Sequence, residues 1–136
     1  MVIRTYFEIG MDDREWASAV VREAEGMGYY NQVIMCLQQA AEKYLKGYIS
    51  ENLNYNGKYD KALKTHNLRL LANIINNECG SQIDPKDAKY LGDFYYDARY
   101  PGDNYEYITD KSVMEECFAI CDSIIVAIST LISREE

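Results

Sequence analysis

The chain has 136 residues, 48% hydrophobic and 26% charged, the make-up of one folded domain with a proper core. Asp and Glu number 22 against 14 Lys and Arg, so the net charge is -8. That balance excludes broad, non-specific attraction of nucleic acid: any RNA or nucleotide contact must be local or assisted by a partner.

In chain order, residues 1–8 lack the long apolar stretch of a signal peptide. A first helix is expected from Asp12, an N-cap with Glu15 in capping-box position. Trp16, Ala19, Val20 and Met27 follow at helical spacing, and Gly26 and Gly28 end it. The Asp12–Glu15 run reads as a helix start and nothing more. A second helix spans Tyr29 to about Glu51. Ile34, Leu37, Ala41, Tyr44, Leu45 and Tyr48 recur at steps of three and four, and the single Gly47 is tolerable. Residues 52–64 are polar, with Asn56-Gly57 as a turn.

The third helix starts at Thr65 or His66, carries Leu68, Leu71, Ile74 and Ile75 inward, and stops at Gly80. Asp84-Pro85 supplies the N-cap and first residue of the fourth, whose apolar stripe is Ala88, Leu91, Phe94, Tyr95 and Ala98. Pro101-Gly102 ends it. The fifth runs from about Asp110 to Ser133 on a nearly unbroken apolar face. Five long amphipathic helices with short connections predict an all-α, antiparallel up-and-down bundle, one domain over residues 1–136. Its wide apolar faces and tyrosine excess predict a homodimer.

No apolar run reaches the roughly 20 residues of a membrane span, and the reading is a cytoplasmic protein. Cys36, Cys79, Cys117 and Cys121 lack zinc-type spacing and read as free, mostly buried thiols; with one histidine in the chain, neither metal nor cofactor is expected.

Six tyrosines fall between residues 90 and 107, around Arg99-Tyr100-Pro101-Gly102-Asp103-Asn104-Tyr105-Glu106-Tyr107. An arginine beside phenols and small turn residues suits a phosphate next to a base. Arg99, Asp103, Asn104, Tyr105 and Tyr107 are the candidate ligand contacts there. Arg99 also complements a helix C-terminus and could pair with Asp97 or Asp103. Tyr90, Tyr95, Tyr96 and Tyr100 read as core or interface aromatics.

Gln39-Ala40-Ala41-Glu42-Lys43-Tyr44-Leu45-Lys46 resembles a hallmark of the HEPN family, the higher eukaryote and prokaryote nucleotide-binding domain. Tyr30 precedes it, His66-Asn67-Leu68 with Leu71 follows, then Arg99-Tyr100-Pro101 and a long apolar helix. The ordered set covers about residues 12–132. The resemblance implies a helical bundle dimerised through the helices that form its site. It also implies one of three roles: a metal-free RNA-cleaving toxin, a partner of a small nucleotidyltransferase, or a nucleotide-binding module. RNA-cleaving members carry Arg and, a few residues on, His. Here Arg99 is followed after five residues by Tyr105, and Tyr107 takes the place of the tyrosine modified by the cognate nucleotidyltransferase in some toxins. A phenol with a free pKa near 10 is a poor base at neutral pH.

The leading expectation is therefore a nucleotide- or RNA-binding module working with a nucleotidyltransferase-fold partner in a toxin–antitoxin-like or defence system. The alternatives are a metal-independent ribonuclease using Arg99 with Tyr105 or His66, and a structural dimer without ligand. His66 is either a helix-start residue bonded to Glu42 or a backbone carbonyl, or a substitute base near Arg99. Glu42 and Lys46 are either an i,i+4 surface pair or part of an internal polar network that positions Arg99.

Overall fold

A computed structural model of the chain describes residues 4–98 and 106–135. Six α-helices and no strand occur among them: α1 (Tyr6–Ala19), α2 (Val21–Met27), α3 (Asn31–Asn52), α4 (Leu68–Cys79), α5 (Pro85–Asp97) and α6 (Lys111–Glu135). The all-α bundle is as expected, and the bounds of α3 through α6 fall within a few residues of the sequence reading.

The first helix differs. It starts six residues before Asp12, because Thr5 and Glu8 form the capping box: Thr5 Oγ1 accepts from Glu8 N at 3.1 Å and Glu8 Oε1 from Thr5 N at 3.2 Å. Asp12 is an exposed mid-helix residue paired with Arg4. The helix breaks at Val20, and α2 ends at Gly28 in the left-handed conformation. The face of α1 toward the bundle carries Phe7, Gly10 and Ala17, so Trp16 lies beside it, 64% exposed, and Met27 is exposed as well. The small residues matter: a Cβ on Gly47 would sit 2.8 Å from Tyr6 Cβ, so α1 crosses α3 too closely for a side chain there. Gly47 is therefore a packing requirement, and not merely tolerated.

At the centre is α3, with 14 of its 22 residues buried. It is buried because four other helices surround it: α1, α4, α5 and α6 all pack on it. α4 starts at Leu68, two or three residues later than expected, because Asn67 is the N-cap and its Oδ1 accepts from Leu70 N at 3.1 Å. α5 starts as expected on Asp84 and Pro85. Arg14 ties α1 to α6 through a two-point bond to Asp122 (2.6 and 3.1 Å) and lies 4.9 Å over the Phe118 ring; this residue has a tertiary role the sequence reading missed.

α6 corrects another expectation. Its most apolar 18 residues have a mean hydropathy of 1.8, so by length and composition it passes as a membrane span. A third of that window (33%) is buried in the bundle, against α3 and α5. All four cysteines are free thiols; Cys117 and Cys121 are fully buried, and burial pushes both up to about 12.

Candidate functional site

Every buried polar or charged side chain among the described residues, Asn31, Gln38, Glu42 and Lys46, lies on α3. Their spacing puts them within an arc of about 80° at 3.6 residues per turn. One stripe of the central helix is thus polar, and each group on it needs a partner.

Glu42, 4% exposed, is the hub. Gln38 Nε2 donates to its Oε1 at 3.1 Å and Lys46 Nζ to its Oε2 at 3.1 Å. His66 Nδ1 approaches both oxygens, at 3.1 and 3.2 Å. Since a carboxylate only accepts, the His66 proton that fits this contact sits on Nδ1, leaving Nε2 without a bond to any described residue. Tyr95 stacks flat on the imidazole, centroids 3.8 Å apart at 11°. The ring is therefore held by a bond in its plane and a phenol on its face. Glu42–Lys46 is an internal pair, with side chains 6% and 9% exposed, and the surface-pair alternative is set aside. Lys43 pairs instead with Asp13 on α1.

The other end of the stripe holds the chain as it enters α6. Asn31 Nδ2 donates to Glu106 O at 3.0 Å, its Oδ1 accepts from Ile108 N at 2.9 Å, and Tyr30 N donates to Ile108 O at 2.8 Å. Tyr107, between these anchors, is 63% exposed and packs on Tyr29 with centroids 4.8 Å apart. Arg99, Asp103, Asn104 and Tyr105, with Tyr100, Pro101 and Gly102, lie outside the described residues. Both flanks of that segment touch partners of the same stripe. Tyr95, in the last turn of α5, lies on the histidine that Glu42 holds, and residues 106–108 are bonded to Asn31.

The family model for the HEPN domain matches residues 14–131. The chain belongs to the HEPN family. No curated protein and no solved structure matches it. In this HEPN domain the hallmark run Gln39–Lys46 supplies Glu42 and Lys46, the end of the buried polar stripe opposite Asn31. Of the predicted site residues, the structure brings Glu42, Lys46 and His66 together and places Tyr107 at the Asn31 end. Gln38, Asn31 and the Tyr95 stack were missed by sequence reasoning. A partial signal was available: Asn31, Gln38, Glu42 and Lys46 recur at steps of seven and four, which puts them on one stripe of the helix, but other polar residues of α3 hide that stripe from the sequence pattern.

Proposed function

We propose that this HEPN domain is a nucleotide- or RNA-binding module. It works as a homodimer, in the cytoplasm, beside a nucleotidyltransferase-fold protein in a toxin–antitoxin-like or defence system. The observation that carries the binding role is the stripe of α3, which organises both flanks of the segment holding Arg99. Buried hydrogen-bonded polar groups fix orientation where apolar contacts do not. Arg99 supplies the cation for a phosphate, with Asp103, Asn104, Tyr105 and Tyr107 around the base or ribose. The dimer is supported by apolar side chains left in solvent on α1 and α6, Trp16 and Val126 foremost. The partner reading rests on family resemblance and on the exposed Tyr107 phenol, which a transferase can reach.

A second reading, metal-independent RNA cleavage, is favoured by the Glu42–His66 contact. A carboxylate that orients an imidazole leaves its far nitrogen able to take a proton. His66 Nε2 would accept the ribose 2′-OH proton, the 2′ oxygen would attack phosphorus, and the 5′ oxygen would leave with a proton from solvent. The products are a 2′,3′-cyclic phosphate and a free 5′-OH, with Arg99 stabilising the phosphorane.

One experiment separates them: purified protein incubated with labelled single-stranded RNA in EDTA, followed for binding and for cleavage. Binding without cleavage, lost in Arg99→Ala, is expected. Cleavage abolished by both Arg99→Ala and His66→Ala would replace the first reading with the second. Absence of RNA and nucleotide binding would leave only a structural dimer.

A further inference from the structure

Between the start of α4 and the outer face of α5 lies a cleft of about 290 Å³. His66, Asn67, Arg69, Lys89, Asp93 and Tyr96 line it. Lys89 is neutralised by Asp93 at 2.7 Å, so Arg69 is its cation with no ion pair among the described residues. Tyr96 is 62% exposed and braced edge-on by Tyr95, which itself stacks on His66. An aromatic series thus runs from the buried Glu42 hub to an exposed ring.

The charge pattern points the same way. Residues 61–69 contain Lys61, Lys64, Arg69 and His66 and no carboxylate, in a chain of net charge -8. Lys61, Lys64 and Arg69 are exposed and make no ion pair among the described residues; Arg22, Lys86 and Arg134 are like them, but only here do three such cations fall within nine positions of the described chain. Thr65 also borders a second hollow, of about 420 Å³, walled by Lys61, Tyr59 and the half-exposed Leu70. The two hollows share Thr65 and, with the exposed Lys64 next to it in sequence, mark a basic path flanked by Tyr59 and Tyr96 across the α4 start.

We propose that this path binds single-stranded RNA, with Lys61, Lys64 and Arg69 on successive phosphates and one base stacked on Tyr96 in the cleft. Cations that track a backbone, with aromatic faces for bases, are the chemistry that holds a single strand without sequence readout. A cleft of about 290 Å³ has room for about one splayed nucleotide and not for a duplex, whose bases are turned inward. The local positive potential overcomes the acidic surface only at short range, so binding is salt-sensitive. The assignment rests on the RNA-binding reading above and adds where the strand lies.

The test is fluorescence anisotropy with a labelled mixed-sequence single-stranded RNA dodecamer at low and moderate salt, each variant checked by circular dichroism. Lys64→Glu and Arg69→Glu should each weaken binding about tenfold or more and lower the salt slope by about 1. Tyr96→Ala should weaken it about tenfold with the salt slope unchanged. Arg22→Glu on α2, an equal charge change off the path, should alter affinity less than about twofold. If the path variants bind like wild type while Arg99→Ala does not bind, the strand lies elsewhere and only this assignment falls. If wild type binds no RNA, this assignment and the RNA half of the functional reading fall together, leaving only nucleotide binding. Duplex RNA binding as tightly as single strand, or ATP displacing the strand completely at micromolar concentration, would also overturn the assignment.

Discussion

α3 and α6 are the two longest helices, 22 and 25 residues, and they bury opposite kinds of surface. The buried side of α6 is Met114, Cys117, Ile120, Cys121, Ile124, Ile128 and Leu131, with no polar side chain except the thiols. α3 buries a broad apolar face and, beside it, a polar stripe. Apolar burial is non-directional: it holds a helix in place but tolerates small rotations and exchanges of similar volume. Hydrogen bonds need particular partners at particular angles. α6 thus contributes mainly cohesion, whereas α3 dictates where His66, Tyr95 and residues 106–108 sit.

Loss of the hub should give the largest effect. Glu42→Ala leaves the Lys46 ammonium and the Gln38 amide buried without their acceptor, costing about 3–5 kcal/mol. The measurement is urea unfolding followed by circular dichroism. A loss under about 1 kcal/mol would mean that water serves the stripe and that it resembles an exposed face. Replacing Glu42 and Lys46 together by methionine should recover much of the stability, yet free His66 from its in-plane bond.

On α6 the same measurement should read packing alone. Ile128, fully buried, should cost about 2–5 kcal/mol as Ile128→Ala and about 0.5–1.5 as Ile128→Val. Ligand binding at the folded temperature should not change. A binding defect in Ile128→Val would erase the division between the two helices.

Asn31→Ala should cost less, about 1–3 kcal/mol, because water can reach part of the site once the Glu106 and Ile108 bonds go. Its signature is local: hydrogen exchange at the Ile108 amide should accelerate while amides in the middle of α6 keep their protection. Uniform acceleration would show that Asn31 supports the whole bundle and not one flank.

The smallest effect is expected near neutral pH. Cys117 and Cys121 are raised from 9.0 to about 12 by burial. Unfolded thiols lose protons from about pH 9, and folded ones only near 12. Across that window the unfolded state binds fewer protons, so stability falls as pH rises. Tyr48, raised by burial and its bond to Glu135, acts in the same direction above pH 10. Urea midpoints should be insensitive to these groups from pH 7 to 9 and decline by pH 11. Native Cys117 and Cys121 should also resist a thiol reagent at pH 8 and react once unfolded; rapid native reaction would contradict the packing of α6.

The helices were legible because their signals are local. Asp84-Pro85, Asn56-Gly57 and Gly80 act through their own backbone, and the period of apolar residues in α3, α5 and α6 follows from helix geometry. The first helix was misplaced because two capping boxes compete in sequence. Which one starts the helix depended on whether Tyr6 and Phe7 could pack on α3, and that needed Gly47 on the other helix. The HEPN motif identified Glu42, Lys46 and His66 but did not say whether they were surface or interior.

By itself, then, the sequence determined helix content, most helix ends and the family, since these rest on contacts within a few residues. Only the tertiary structure decided that Glu42 is a hub, that Tyr95 covers His66, and that Asn31 grips residues 106–108. Those contacts join positions 24 or more residues apart, between the Glu42–His66 pair and the more distant ones. Whether a polar side chain is solvated or must find a partner is set by the helices packed around it.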